Sequence, residues 1–206
     1  MNKLYLSGNK IKKITGLPSQ LRHLSLDDNP LTELDTSSFS RLKSLTHLSL
    51  KNCSISSIAT TGFTRLESLQ TLVLSHNPIK SLKVHALFGL TSLQRLYLEN
   101  CQLLEIDDTA FITLYNLKYL YLQNNKLTTI SRAWFDVFSS NQIVKVLLSG
   151  NPWRCDCTMV GFMNKMKNER WLEDVTEVDV VYCQSPEDRR QDTLAIAGDV
   201  IVKTSF

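Results

Sequence analysis

The residues with the most chemistry to offer are five cysteines, Cys53, Cys101, Cys155, Cys157 and Cys183, and four histidines, His23, His47, His76 and His85. Cys155-Asp156-Cys157 is a CxC pair, and with Cys183 it brings three thiols into the last quarter of the chain. Such a trio can hold zinc or form disulfides. Zinc takes four ligands, and every histidine lies before residue 86, so no metal is expected. Disulfides, the other use of such thiols, would require an oxidising compartment outside the cytosol. Asn52-Cys53-Ser54 fits the acceptor pattern for N-glycosylation. No nucleophile motif, carboxylate pair or phosphate-cradling glycine loop is present, so neither an enzyme nor a cofactor is expected.

Self-similarity sets the framework that holds these residues. An LxxLxLxx(N/C)x(L/I)xx(L/I) block recurs as LRHLSLDDNPLTEL, LTHLSLKNCSISSI, LQTLVLSHNPIKSL, LQRLYLENCQLLEI and LKYLYLQNNKLTTI. Its polar position falls at Asn29, Cys53, Asn77, Cys101 and Asn125, always 24 residues apart. A shorter copy holds Leu4, Leu6 and Asn9, and a later one holds Ile143, Val146, Leu148 and Asn151, which makes seven strand blocks. A second apolar set, including Phe39, Phe63, Leu87, Phe111, Phe135 and Phe138, fills the return path behind the strands. One repeat cannot bury its own apolar face, so the blocks must stack. Cys53 and Cys101 are then two repeats apart, ~10 Å at ~4.8 Å per strand, beyond disulfide reach. They are expected to be structural thiols.

Alternation along each strand sends every second residue outward. Three outward ladders result. The first reads Lys3, His23, His47, Thr71, Arg95, Tyr119, Lys145, and the second Tyr5, Ser25, Ser49, Val73, Tyr97, Tyr121, Leu147. The third reads Ser7, Asp27, Lys51, Ser75, Glu99, Gln123, Ser149, with Asp27 and Lys51 expected to pair. Large aromatic and Arg side chains supply contact area with few rotors to freeze, as binding hot spots require. The candidate ligand site is therefore Tyr97, Tyr119 and Tyr121 with Arg95, Glu99, Gln123, Val73 and Leu147. Ser25, Ser49, Thr71 and Ser75 make the opposite half small and polar.

Composition narrows the partner. The net charge is only +3, and the ladders mix both signs, so nucleic acid is not expected. Residues 1–151 hold 16 Lys and Arg against 10 Asp and Glu, whereas 152–206 hold 7 against 10, so the chemistry changes near Asn151. No run of apolar residues is long enough to span a bilayer, so membrane attachment would need a segment outside this chain.

The 24-residue blocks resemble the leucine-rich repeats of extracellular animal proteins, and the resemblance covers the whole chain. It implies an α/β solenoid, a horseshoe with a concave parallel β-sheet. Asn151-Pro152-Trp153 with Cys155, Cys157 and Cys183 resembles the cysteine-rich carboxy-terminal cap of that family. Two domains follow: repeats over 1–151, and a disulfide-bonded cap over 152–206 in which Met159, Phe162, Met163 and Met166 mark a short helix. In the family the first and third cap cysteines pair, which implies Cys155 with Cys183 and leaves Cys157 without its partner. The cap is expected to be truncated, and the family's amino-terminal cap to be missing. The resemblance extends to Toll-like receptors, variable lymphocyte receptors and neuronal guidance proteins. It implies a receptor fragment in innate immunity or cell adhesion that binds a protein or glycoconjugate on its concave face, with dimerisation compatible. The alternative is a secreted matrix or scaffolding protein.

Overall fold

The computed structural model describes residues 2–34, 38–60, 62–134, 137–138, 143, 145–154, 161, 179–185 and 193–196. Seven short strands stack in parallel: β1 (Lys3–Tyr5), β2 (His23–Ser25), β4 (His47–Ser49), β6 (Thr71–Val73), β8 (Arg95–Tyr97), β10 (Tyr119–Tyr121) and β11 (Lys145–Leu147). Register is repeat on repeat, Leu24 beside Leu48, Leu48 beside Leu72 and Leu72 beside Leu96. Two-stranded parallel pairs lie on the return path, β3 (Glu33–Leu34) with β5 (Ser57–Ile58) and β7 (Ser81–Leu82) with β9 (Glu105–Ile106). After the repeats, β12 (Trp153–Arg154), β13 (Asp179–Ser185) and β14 (Thr193–Ile196) form a separate three-stranded sheet.

The chain is thus a parallel-sheet β-solenoid. The α/β expectation needs one adjustment. Described return segments between residues 38 and 131 are turns and bridging strands, and helical residues begin only at 133. Each 24-residue repeat leaves too few return residues for a helix once the strand and two corners are made.

A continuous core fills the coil. Leu24, Leu48, Leu72, Leu96 and Leu120 are fully buried behind the sheet, and Phe39, Phe63, Phe111 and Phe138 are buried behind them. The Phe39 and Phe63 rings stack at 6.0 Å, and Phe111 meets Trp134 edge-on at 5.2 Å. Such aromatic pairs add about 0.5–1.5 kcal/mol beyond burial. On the same path Gly89 (φ 91°) is forced, because a Cβ there would lie 2.6 Å from the Thr64 carbonyl oxygen.

Each coil must also satisfy the backbone where it leaves the sheet. The corner residue is left-handed at every turn: Gly8, Asp28, Asn52, His76, Asn100, Asn124 and Gly150. Gly, Asn and Asp tolerate that region best, which accounts for most of these types. The bend aims the next residue into the coil. Asn77 is buried, its Nδ2 donates to the Leu50 and Leu74 carbonyls at 2.8 and 2.7 Å, and its Oδ1 accepts the Cys53 and Ile55 N–H groups at 2.9 and 3.0 Å. Asn125 repeats this on Leu98, Leu122, Cys101 and Leu103.

Cys53 and Cys101 occupy the same rung position and do half of that work. Their thiols donate to the Leu26 and Leu74 carbonyls at 3.1 and 3.2 Å. Both are buried free thiols, as expected of structural cysteines. Burial pushes their pKa values up to about 11 and about 12.

Asn77→Ala leaves two buried N–H groups and two carbonyls without side-chain partners, and at about 1–3 kcal/mol for each unsatisfied group the loss should be at least about 4 kcal/mol in urea unfolding. Cys101→Ala removes no acceptor and should cost less than half as much. Neither Cys53 nor Cys101 should react with iodoacetamide at pH 8 in the folded protein, because the thiolate is the nucleophile.

Candidate functional site

The eight residues of the expected site come together on one face. Val73, Arg95, Tyr97, Glu99, Tyr119, Tyr121, Gln123 and Leu147 are all half-buried, on or directly beside β6, β8, β10 and β11. Register makes neighbours of them: Val73 beside Tyr97, Tyr97 beside Tyr121, Tyr121 beside Leu147, and Arg95 beside Tyr119. The repeat does this because a spacing of 24 returns each ladder position to the same place one strand along.

The contacts are specific. Tyr97 and Tyr121 stack with centroids 4.4 Å apart and planes 6° from parallel. The Arg95 guanidinium lies 4.9 Å from the centre of the Tyr119 ring, a cation–π contact. Burial, the neighbouring Tyr97 and a hydrogen bond with it raise the Tyr121 phenol to about 12. The Glu99 Oε2 and Gln123 Oε1 atoms are buried without hydrogen-bond partners.

Toward β2 and β4 the face is different. His23 and His47 stack at 4.3 Å, 8° from parallel, and His47 shares a 2.9 Å hydrogen bond with the Thr46 hydroxyl. Burial lowers the His47 pKa, with His23, Arg95 and Lys3 adding to the effect. The expected Asp27–Lys51 pairing is made by the Lys51 backbone N–H at 2.9 Å, and the same carboxylate accepts the Ser25 and Ser49 hydroxyls. Asn52 is exposed, but its Nδ2, the atom a glycan would take, donates to Asp28 Oδ1 at 2.8 Å.

One ladder residue departs from expectation. Ser75 is not an outward polar residue but 1% exposed. Its short side chain sits between rungs carrying the longer Lys51 and Glu99, and it is covered. The His23–His47 adjacency follows from the first ladder, whereas the Ser75 burial and the unpartnered oxygens beside it were missed because each depends on side-chain size across neighbouring rungs. Among the described residues no group of three or more His, Cys, Asp or Glu is arranged to hold a metal. Cys155 and Cys157 lie outside the described residues, as do Met159, Phe162, Met163, Met166 and Phe135, and Cys183 is placed only as part of β13.

The leucine-rich-repeat family matches over residues 19–79, 45–103 and 91–152. The chain belongs to that family. Among solved structures it is similar to the crystal structure of a TLR13–ssRNA13 complex, at 31% identity and a TM-score of 0.71 over 76% of this chain. The chain spans 22% of the length of that structure's chain. No curated protein sequence matches it. The leucine-rich repeats therefore carry a likeness to a Toll-like receptor ectodomain, a ligand-binding module of the same build.

Two pH effects follow. His47 binds its proton less tightly folded than unfolded, so its contribution is full above about pH 6.5 and is lost as pH falls below that. Thermal unfolding should show this acid-side loss, and His47→Gln should flatten it. Tyr121 holds its proton more tightly when folded, so stability holds below the ordinary tyrosine pKa of 10 and falls as pH rises toward 12. Absorbance at alkaline pH should show one late-titrating tyrosine that is missing in Tyr121→Phe. Ser75→Ala, which deletes a buried hydroxyl without a partner, should raise stability by about 1 kcal/mol in urea unfolding.

Proposed function

We propose that these repeats are the ligand-binding module of an innate immune receptor ectodomain, working by recognition without catalysis, in the extracellular space or an equivalent lumen. One observation carries the reading: the sheet face gathers two packed pairs on neighbouring strands, Tyr97 on Tyr121 and Arg95 on Tyr119. Rings already stacked, and a guanidinium already seated on a ring, have little conformational freedom left to lose on binding. That is the usual physical basis of a hot spot. In this reading the solenoid curves into a horseshoe with that face concave. Residues 152–206 cap its end, closed by Cys155 and Cys183, and the preferred ligand is a protein or glycoconjugate.

A second reading is single-stranded nucleic acid. The similar structure is a complex with ssRNA13, and Arg95 on Tyr119 beside Lys145 is the kind of cation and aromatic surface on which bases stack. Against it stand the Glu99 and Asp27 carboxylates on the same face, which repel phosphate.

The test is a binding screen of this chain against an array of extracellular proteins, with a single-stranded RNA of mixed sequence beside it. Replacing Tyr97, Tyr119 and Tyr121 with Ala should weaken a captured protein ligand at least about 100-fold, as the loss of hot-spot rings implies. Unchanged affinity would remove the site. RNA binding that weakens steeply with salt, with no protein ligand captured, would establish the second reading instead.

A further inference from the structure

Behind the sheet, four large apolar side chains stand in water on two neighbouring coils. Val84 and Phe88 on the first are each 44% exposed, and Ile112 and Tyr115 on the next are 55% and 64% exposed. The repeat puts them together: β7 and β9 pair Ser81 with Glu105 and Leu82 with Ile106, so positions 24 apart are neighbours here too, and Phe88 lies beside Ile112. His85 packs edge-on against the Phe88 ring at 5.7 Å. In the two preceding coils the positions of Phe88 and Tyr115 are held by Ser40, Thr64, Lys43 and Glu67, so the coil itself requires nothing apolar there. Large apolar groups gathered in water mark a contact surface.

Charge around this patch sorts by coil. Residues 80–92 hold Lys80, Lys83 and His85 and no acid, whereas residues 104–116 hold Glu105, Asp107 and Asp108 and no base. All of these except half-buried Asp107 are exposed. A groove of about 550 Å³ lies between the two coils, lined by Lys83 and Val84 from one and by Asp107 and Asp108 from the other. A partner carrying a single sign of charge would be repelled by one coil or the other.

We infer that this face is the contact between two copies of the chain, related by a two-fold axis that runs along the coils midway between Phe88 and Ile112. Such an axis lays each coil on its neighbour in the other copy. Phe88 then meets Ile112, Thr91 meets Tyr115, Lys83 meets Asp107 and Asp108, and Lys80 meets Glu105, each contact being made twice. A two-fold interface has to be complementary to itself. A basic coil beside an acidic one, with an apolar centre shared by both, meets that condition, whereas like coil on like coil would oppose Lys83 with Lys83 and Asp108 with Asp108. Opposed charges of this kind fix register more than they add affinity. The sheet face with Tyr97 and Tyr121 lies on the other side of the core, so the dimer leaves it open.

The test is sedimentation velocity of the whole chain over about 1 µM to 1 mM, since a patch of this size gives a weak dimer. The sedimentation coefficient should climb with concentration toward that of a dimer. Phe88→Thr combined with Ile112→Thr, which installs the residue that position 64 already carries, should weaken association at least about tenfold, with an unchanged circular dichroism spectrum as the check on folding. Lys83→Glu and Asp108→Lys should each weaken it about tenfold alone, and an equimolar mixture of the two should recover it, because each copy then supplies the charge that the other lacks. Both sets alter exposed side chains and leave the core intact. A chain that stays monomeric at the highest concentration, association untouched by the Phe88 and Ile112 replacements, or a mixture no stronger than its two components would overturn the interface.

Discussion

A solenoid has no second sheet or layer of helices to cover its corners, so the backbone groups exposed at each bend must be satisfied from inside the coil. The asparagine ladder meets that demand. Asn29, Asn77, Asn125 and Asn151 each send an amide inward to bridge their own coil and the one before it. Alternation with Cys53 and Cys101 is tolerated because a thiol still caps one carbonyl, while some nearby N–H groups find carbonyls instead, Leu31 turning to the Cys53 carbonyl at 2.9 Å. Everything else depends on this ladder. The leucines can be buried only if the corners close, and the outward ladders stay aligned only if every coil has the same shape.

Alignment is also what turns a structural repeat into a surface with chemistry. Register brings residues 24 apart into contact, so a single substitution changes a row rather than a point. At β2 and β4 the rows hold serines gathered by Asp27 and a histidine stack. Over β8 and β10 they hold tyrosines that stack, an arginine on a ring, and oxygens left without donors. The first half leaves His23 Nδ1 without a partner. The second holds the stacked tyrosines and the Arg95–Tyr119 contact on which the proposed site rests.

Most of the fold was legible because its determinants are local and periodic. The spacing of Asn29, Cys53, Asn77, Cys101 and Asn125 specified the coil length. The alternation around Leu24, Leu48, Leu72, Leu96 and Leu120 specified which side of each strand is inward, and hence which eight residues would share a face. Cys53 and Cys101 could be assigned as structural thiols from ladder position and rung spacing. Family membership rests on those same residues.

What the tertiary structure decided is how neighbouring rungs share space. Nothing in the pattern distinguishes Ser75 from its row neighbour Lys51 in direction, yet Ser75 is buried without a partner and Lys51 is exposed. Likewise the letters Glu99 and Gln123 read as exposed polar residues until the rings beside them are placed. Periodicity assigns each side chain a direction, because direction follows from backbone geometry. Burial and satisfaction follow from the volumes and donors of side chains one coil away, brought together only when the coils stack.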